Sequence, residues 1–532
     1  MDSLTLLLML SALIPVATMA LAACWPWLSN AAHESGLWKP FHVLAGIGLG
    51  GAVLALGLHA VAPGTDASAI SVPGLISTPL TAVMAVLVQW LGWVIAVFSA
   101  RYLQGDLQGL AGQRRYVAAL GGVLTSVQVL LLADHWLVLI AAWASVGLCL
   151  RHLLCFYGDR PFALLASHKK RLADRLADAL LLLAAGLAWS AVGSGSLSEL
   201  DRQLAQGAPS AAVQASAVAL VLAVILRTAL FPVHGWLIQV MEAPTPVSAL
   251  LHAGVVNLGG LVLIRFAPLL ESAPVARWLL VGFGLGTALL AGLVMLTRIS
   301  IKVRLAWSTV AQMGFMVLEC GLGLYTLAAL HLIGHSLYKA QAFLSASGAV
   351  QQTRLQQLRG SAAPTLLSQV VAPVVAAGLV GMIQMGVTGP TWPWWWSGVL
   401  ALAWAPLLWG PASKAEARAP WVRTASGLLM VVDLTLVASW AHLLPLGLQD
   451  APEQAAGMVA CLGMAVMYAC LVTLQQRPQA LSAWRRWSYA GFYVDEVYTR
   501  VTLWLWPTQW APAAHTARDR LVVDSEPAVV SE

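Results

Sequence analysis

A chain of 532 residues that is 59% hydrophobic and 10% charged, with a mean hydropathy of +0.78, is an integral membrane protein. Soluble domains carry about 25% charged residues. The formal charge of +6 would suit a nucleic-acid binder, but the basic residues fall in short segments between apolar runs, which is the signature of membrane topology.

The apolar runs are continuous and do not alternate with period two, so the spans are helices, not barrel strands. The predicted fold is all-α and polytopic, with about 15 transmembrane helices, each long enough to cross roughly 30 Å of hydrocarbon. In chain order they fall near 4–23, 41–62, 75–99, 116–133, 135–156, 176–193, 211–241, 246–269, 278–296, 303–321, 324–350, 364–386, 394–410, 422–446 and 455–474. The first run follows Asp2 with no basic residue, so it is expected to stay as a span despite its ending in Leu21-Ala22-Ala23-Cys24.

With the N-terminus outside, the inside loops hold Lys39; Arg101, Arg114 and Arg115; the run from Arg151 through Arg160, Lys169, Lys170 and Arg171 to Arg175; and Arg298, Lys302 and Arg304. Further along they hold Arg354, Arg359, Lys414, Arg418, Arg423, Arg477, Arg485 and Arg486, whereas the outside loops hold Arg202 and Arg277. This bias puts the C-terminus in the cytoplasm of a bacterial cell inner membrane. The basic loop from Arg151 to Arg175 is the expected docking surface for a partner, or else only a topology determinant.

The chain divides into a three-helix segment at 1–115, a five-helix repeat at 116–270, a second and degenerate repeat at 271–410, further helices at 411–480 and an aromatic tail at 481–532. Two inverted repeats with broken helices are a transporter architecture. The first break is expected at Pro232. The second falls near 364–390, where Gly381, Gly386, Gly389 and Pro390 interrupt a run that holds Gln369 and Gln384 but no charge. The tail, with Trp484, Trp487, Trp504, Trp506 and Trp510 among arginines, suits a short interfacial helix, with disorder after about Ala513.

Three basic residues, Arg227, Arg265 and Lys339, lie within spans, where topology does not explain them and function is the default suspicion. Arg227 is followed by the break at Pro232 and by residues 241–252, MEAPTPVSALLH, in which Pro244 and Pro246 are further break residues; His252 faces the Pro232 break from the next span and either bridges Arg227 to the later histidine row or is a satisfied core residue. His331, His335 and Lys339 are spaced i, i+4, i+8 and share one helix face, so the row is suited to passing protons. The competing reading has these side chains simply satisfying one another between packed helices. Arginine does not release its proton, so Arg227 acts as a gating charge or as a structural partner of unwound carbonyls. Asp178 is the nearest acid in helix order and pairs either with that pathway or with Arg175. The candidate proton pathway is therefore Asp178, Arg227, His252, His331, His335 and Lys339, with Glu242, Glu319, Asp433 and Arg265 as weaker candidates. The six cysteines include no C-x-x-C, the histidines form no ligand cluster and no Gly-rich loop follows a strand, so no metal, cofactor or catalytic site is expected.

The 241–252 motif, the run 301–315 (IKVRLAWSTVAQMGF), the His331 to Lys339 row and the tail motif 492–498 (FYVDEVY) resemble the proton-translocating antiporter-like subunits of respiratory complex I and of multisubunit sodium/proton antiporters. The resemblance covers most of 80–350 and the tail. Where that family has W-E-G-x-G in its fifth helix, this chain has Trp143, Ala144, Ser145, Val146 and Gly147, so the carboxylate is missing. Arg227 stands where the family has a lysine, and the lysine of the second broken helix has no counterpart.

A long lateral helix of the complex I type needs on the order of 70 further residues, more than the tail offers. A divergent branch fits better, the DabB-type membrane subunits of DAB inorganic carbon accumulation complexes. That resemblance implies a partner, DabA, a large soluble zinc protein similar to β-carbonic anhydrases, on the cytoplasmic side. It also implies that protons, or another monovalent cation, drive the hydration of carbon dioxide to bicarbonate there. The alternatives are a respiratory or antiporter subunit and a non-conducting membrane anchor.

Overall fold

The computed structural model describes residues 3–29, 33–61, 74–346, 364–410, 420–477 and 479–508. Among them it is all-helical, with two isolated β-bridges and no strand. The loop residues Arg354, Arg359, Lys414 and Arg418, the tail residue Trp510 and the expected disordered end lie outside the described residues.

The helices are α1 (Ser3–Leu28), α2 (Ser35–Val61), α3 (Pro79–Tyr102), α4 (Gly109–Leu132), α5 (Trp136–Leu154), α6 (Pro161–Val192), α7 (Leu197–Leu204), α8 (Ala211–Arg227), α9 (Gly235–Gln239), α10 (Thr245–Ala253) and α11 (Leu258–Arg265). They continue as α12 (Ala267–Glu271), α13 (Pro274–Leu296), α14 (Ile301–Leu322), α15 (Tyr325–Leu344), α16 (Leu366–Ile383), α17 (Trp394–Trp404), α18 (Pro420–His442), α19 (Gln454–Gln476), α20 (Ser482–Tyr489) and α21 (Val494–Leu505). Among the described residues, twelve helical segments are long and apolar enough to cross a membrane, and α8 and α17 are shorter apolar helices. The 20 residues of α15 rise about 30 Å, but His331, His335 and Lys339 interrupt its apolar surface.

Local chemistry sets the helix ends. Thr78 and Thr81 form a reciprocal capping box ahead of α3, with Pro79 in the first turn, where its missing N–H costs nothing. Between α13 and α14, Gly284 and Gly314 bring two backbones together: a Cβ at either position would lie 2.8 Å from the carbonyl oxygen of the other. Small residues at a crossing are how membrane helices gain close packing, since lipid supplies no hydrophobic drive between them.

Three expectations need correction. The expected loop 157–175 is mostly helix, because α6 starts at Pro161 and runs 32 residues. Its Lys169 and Lys170 are buried and ion-paired, so they do not belong to an exposed basic docking surface. The span 246–269 is discontinuous: α10 stops at Gly254, a 3-10 turn covers Val255–Asn257, and α11 resumes at Leu258. The tail is two helices, α20 and α21, separated where Gly491, Phe492 and Tyr493 all take positive φ and turn the chain.

Arg265 is explained by the fold. It donates to Asp201 Oδ2 at 2.9 Å and to Asp134 Oδ1 at 3.0 Å, clamping the end of α11 to α7 and to the turn between α4 and α5. Burial holds the Asp201 carboxyl above the ordinary carboxylate range against the opposing pull of Arg265.

Candidate functional site

The first break lies between α8 and α9, at residues 228–234, and contains Pro232. Arg227, the last residue of α8, is buried and forms an ion pair with Asp178 of α6. Its guanidinium stands 4.7 Å from the ring centroid of Trp143 on α5. Asp178 thus pairs with Arg227, and not with Arg175. One turn earlier on α6, Lys170 pairs with Asp174 at 2.5 Å and lies 5.2 Å from the ring centroid of Trp236 on α9. The i, i+4, i+8 spacing of Lys170, Asp174 and Asp178 was the sequence signal for this second pair. Ala144, Asp174 and Asp178 line one cavity of about 220 Å³. The acid absent from α5 at Ala144 therefore has two counterparts across the same cavity on α6.

The second polar group lies on α15 and its neighbours. His331 Nδ1 stands 2.8 Å from Glu319 Oε2 of α14. Glu319 was ranked low as a helix-end residue, but α14 continues to Leu322 and buries it. The rings of His331 and His335 are 6.1 Å apart between centroids. Lys339 is fully buried and donates to Ser308 Oγ at 2.8 Å and to the Leu305 carbonyl at 3.0 Å, both neutral acceptors. His252, at the end of α10, stacks on Phe343 of α15 at 4.6 Å. It lies within electrostatic range of Lys339 and His335. Among the described residues, neither ring nitrogen of His252 or of His335 has a hydrogen-bond partner.

At the discontinuity between α10 and α11, Asn257 Nδ2 donates to Ser336 Oγ on α15 at 2.8 Å and to the Ala253 carbonyl at 3.0 Å. Sequence reasoning missed this discontinuity, since only Gly254 marks it. Pro244 lies where the chain leaves the 3-10 turn Val240–Glu242, with Ala243 and Pro244 both non-helical, and Pro246 sits in the first turn of α10, where Lys302 Nζ donates to Thr245 Oγ1 at 2.9 Å. The two polar groups are not joined directly: no hydrogen bond or ion pair links Arg227 to His252 among the described residues. Of the weaker candidates, Glu242 faces Arg160 at 3.5 Å in a half-exposed pair, and Asp433 is exposed on α18. No group of three or more metal-ligating side chains occurs among the described residues.

The tail motif closes on the first break. Lys169 Nζ donates to Asp495 Oδ1 at 2.7 Å, Gln239 Nε2 donates to Asp495 Oδ2 at 3.0 Å, and Tyr498 OH donates to the Lys169 carbonyl at 3.1 Å. Asp495 packs against Gly235, where a Cβ would fall 1.4 Å from Oδ1. Gly235→Ala is therefore expected to expel Asp495 from its cradle and destabilise the protein by about 1–3 kcal/mol, the usual cost of overpacking. Thermal unfolding of the alanine variant beside Asp495→Ala measures it; an unchanged midpoint for Gly235→Ala contradicts the contact.

Residues 133–409 match the family described as NADH:quinone oxidoreductase/Mrp antiporter, transmembrane. A "probable inorganic carbon transporter subunit DabB" of Hydrogenovibrio crunogenus is 36% identical over 437 residues, which are 81% of this chain and 83% of that relative. A "probable inorganic carbon transporter subunit DabB2" of Halothiobacillus neapolitanus is 48% identical over 276 residues, 52% of this chain and 49% of that one. The match thus spans about half of this second relative. A chain in the solved Mrp complex from Dietzia sp. superposes with a TM-score of 0.55 over 97% of this chain and 59% of its own length, at 22% identity, a likeness of fold.

Proposed function

Given that this chain belongs to the NADH:quinone oxidoreductase/Mrp antiporter transmembrane family, and within it to the DabB subunits, we propose that it conducts protons to energise a soluble partner for inorganic carbon accumulation. The observation that carries this reading is the set of ionisable side chains gathered inside the helix bundle: the Arg227–Asp178 pair beside the break at Pro232, His252 beside the break at Gly254, and His335 and buried Lys339 on α15. In this reading Arg227 is a fixed charge whose attraction to Asp178 rises or falls as a proton arrives, and Lys339, His335 and His331 carry the proton onward to Glu319. One charge moving through 100 mV releases about 2.3 kcal/mol, enough to bias a partner's conformations by well over tenfold.

The partner is a DabA-like zinc protein resembling β-carbonic anhydrases, docked on the cytoplasmic side, where hydration of carbon dioxide yields bicarbonate and a proton. The membrane chain is not catalytic itself. We place it in the bacterial inner membrane with about 15 spans, the N-terminus outside and the C-terminus inside. The five-helix units 116–270 and 271–410 are inverted repeats in this account, the second without a central cation.

The test is labelled inorganic carbon uptake, with rescue of growth, in cells that lack carbonic anhydrase and express this chain with a candidate zinc partner. Uptake is expected to need both proteins and to collapse with a protonophore. Uptake that survives the protonophore contradicts proton coupling, and absent uptake with an assembled complex moves the assignment to respiratory or antiporter partners.

A further inference from the structure

We propose that the end of the α5–α6 pair beyond Asp174 binds an oxyanion, either a phosphate headgroup of an acidic lipid or a free ion such as phosphate or bicarbonate. A cavity of about 180 Å³ there is lined by Arg151, Ser167, His168, Arg171 and Thr508. It adjoins the cavity that holds Asp174 and Asp178, for both include Arg151, Ser167 and Arg171, and Arg175 lines the second.

The three guanidiniums are close enough for Arg151 and Arg175 to repel Arg171. None of the three belongs to an ion pair among the described residues, whereas the nearby Lys169, Lys170 and Arg227 each have a carboxylate. Arg171 is held in place: its Nη2 donates to His168 Nδ1 at 3.2 Å, and His168 Nε2 donates to the Trp506 carbonyl at 2.9 Å. That fixes His168 as a neutral positioning residue with both nitrogens used, and leaves the remaining guanidinium donors for a ligand. Arg175 rests 5.7 Å from the ring centroid of Trp506. Topology alone asks for positive charge at this membrane face, but not for two guanidiniums lining a polar cavity that holds no carboxylate, with a third, Arg175, on the adjoining cavity.

Two or three guanidiniums with a serine hydroxyl are the donor set that recognises a tetrahedral or planar oxyanion, in bidentate geometry. A cation approaching Asp174 and Asp178 past unneutralised arginines would be repelled, and a bound anion removes that barrier. The site thus places an anion requirement at the mouth of the acidic cavity.

Thermal unfolding of the full chain in uncharged detergent, at constant ionic strength, tests this with three probes: inorganic phosphate, bicarbonate, and phosphatidylglycerol against phosphatidylcholine. The expected result is a saturable rise in midpoint with at least one anion, with half-saturation shifted tenfold or more in Arg151→Gln and Arg171→Gln, partly recovered in Arg171→Lys, and unchanged in Arg485→Gln. Saturation by phosphate or bicarbonate identifies a free ion; saturation by phosphatidylglycerol alone identifies a headgroup. No saturable rise in wild type with any probe, or equal half-saturation in the glutamine variants, overturns the site.

Discussion

Arg227→Gln is expected to stop cation-coupled transport and to lower the unfolding midpoint, and adding Asp178→Asn is expected to recover the midpoint without recovering transport. The pair explains both halves of that result. Breaking a buried ion pair from one side leaves an uncompensated charge and typically costs about 3–5 kcal/mol. The side chain of Asp178 keeps 28% of its exposure, and solvent screening brings the cost below that range, to about 2–3 kcal/mol. Removing both charges relieves the penalty, as neutral replacements of buried pairs usually do. Transport, by contrast, needs the charge that a proton on Asp178 works against. Unfolding midpoints and protonophore-sensitive uptake of the two singles and the double make a cycle that separates the roles. If the double variant transports, the pair is structural.

Lys339→Met and Lys339→Arg are both expected to lose uptake by at least a hundredfold while the protein still folds. Methionine fills the space of the lysine stem with an uncharged chain of similar length. Arginine keeps the positive charge but holds its proton, whereas an amine can give its proton up. A pathway that needs only a fixed charge at this position keeps working with arginine; a relay does not. Uptake by Lys339→Arg near the wild-type level, with Lys339→Met inactive, assigns Lys339 to gating and removes it from the proton path.

The sequence exposed these residues unevenly, for physical reasons. Lys339 and the two histidines stood out because i, i+4 spacing inside an apolar run needs no tertiary information. The partner of Arg227 was visible only as a choice, since Asp178 sits three residues from Arg175 and just two helices from Arg227 in chain order. The folded chain chose the buried guanidinium, where an ion pair is least screened. Lys169 and Lys170 were misread as a solvated loop: charge density outweighed helical spacing, and their carboxylate partners lie on the same helix face and, for Asp495, more than 300 residues away. The cradle of Asp495 against Gly235 is a long-range contact that no local pattern announces. Glu319 lies only two residues from the expected span end at 321, and its burial beside His331 is visible only in the fold; the break at Gly254 is faint because glycine alone is a weak punctuation mark within an apolar run.

The most direct measurement is proton entry into liposomes that contain this chain with its soluble partner, followed with an entrapped pH dye under an imposed membrane potential. The account predicts influx in wild type that is lost in Lys339→Met although the complex still assembles. Equal influx in the two proteins, or none in a wild-type complex that supports uptake in cells, contradicts proton conduction through this chain.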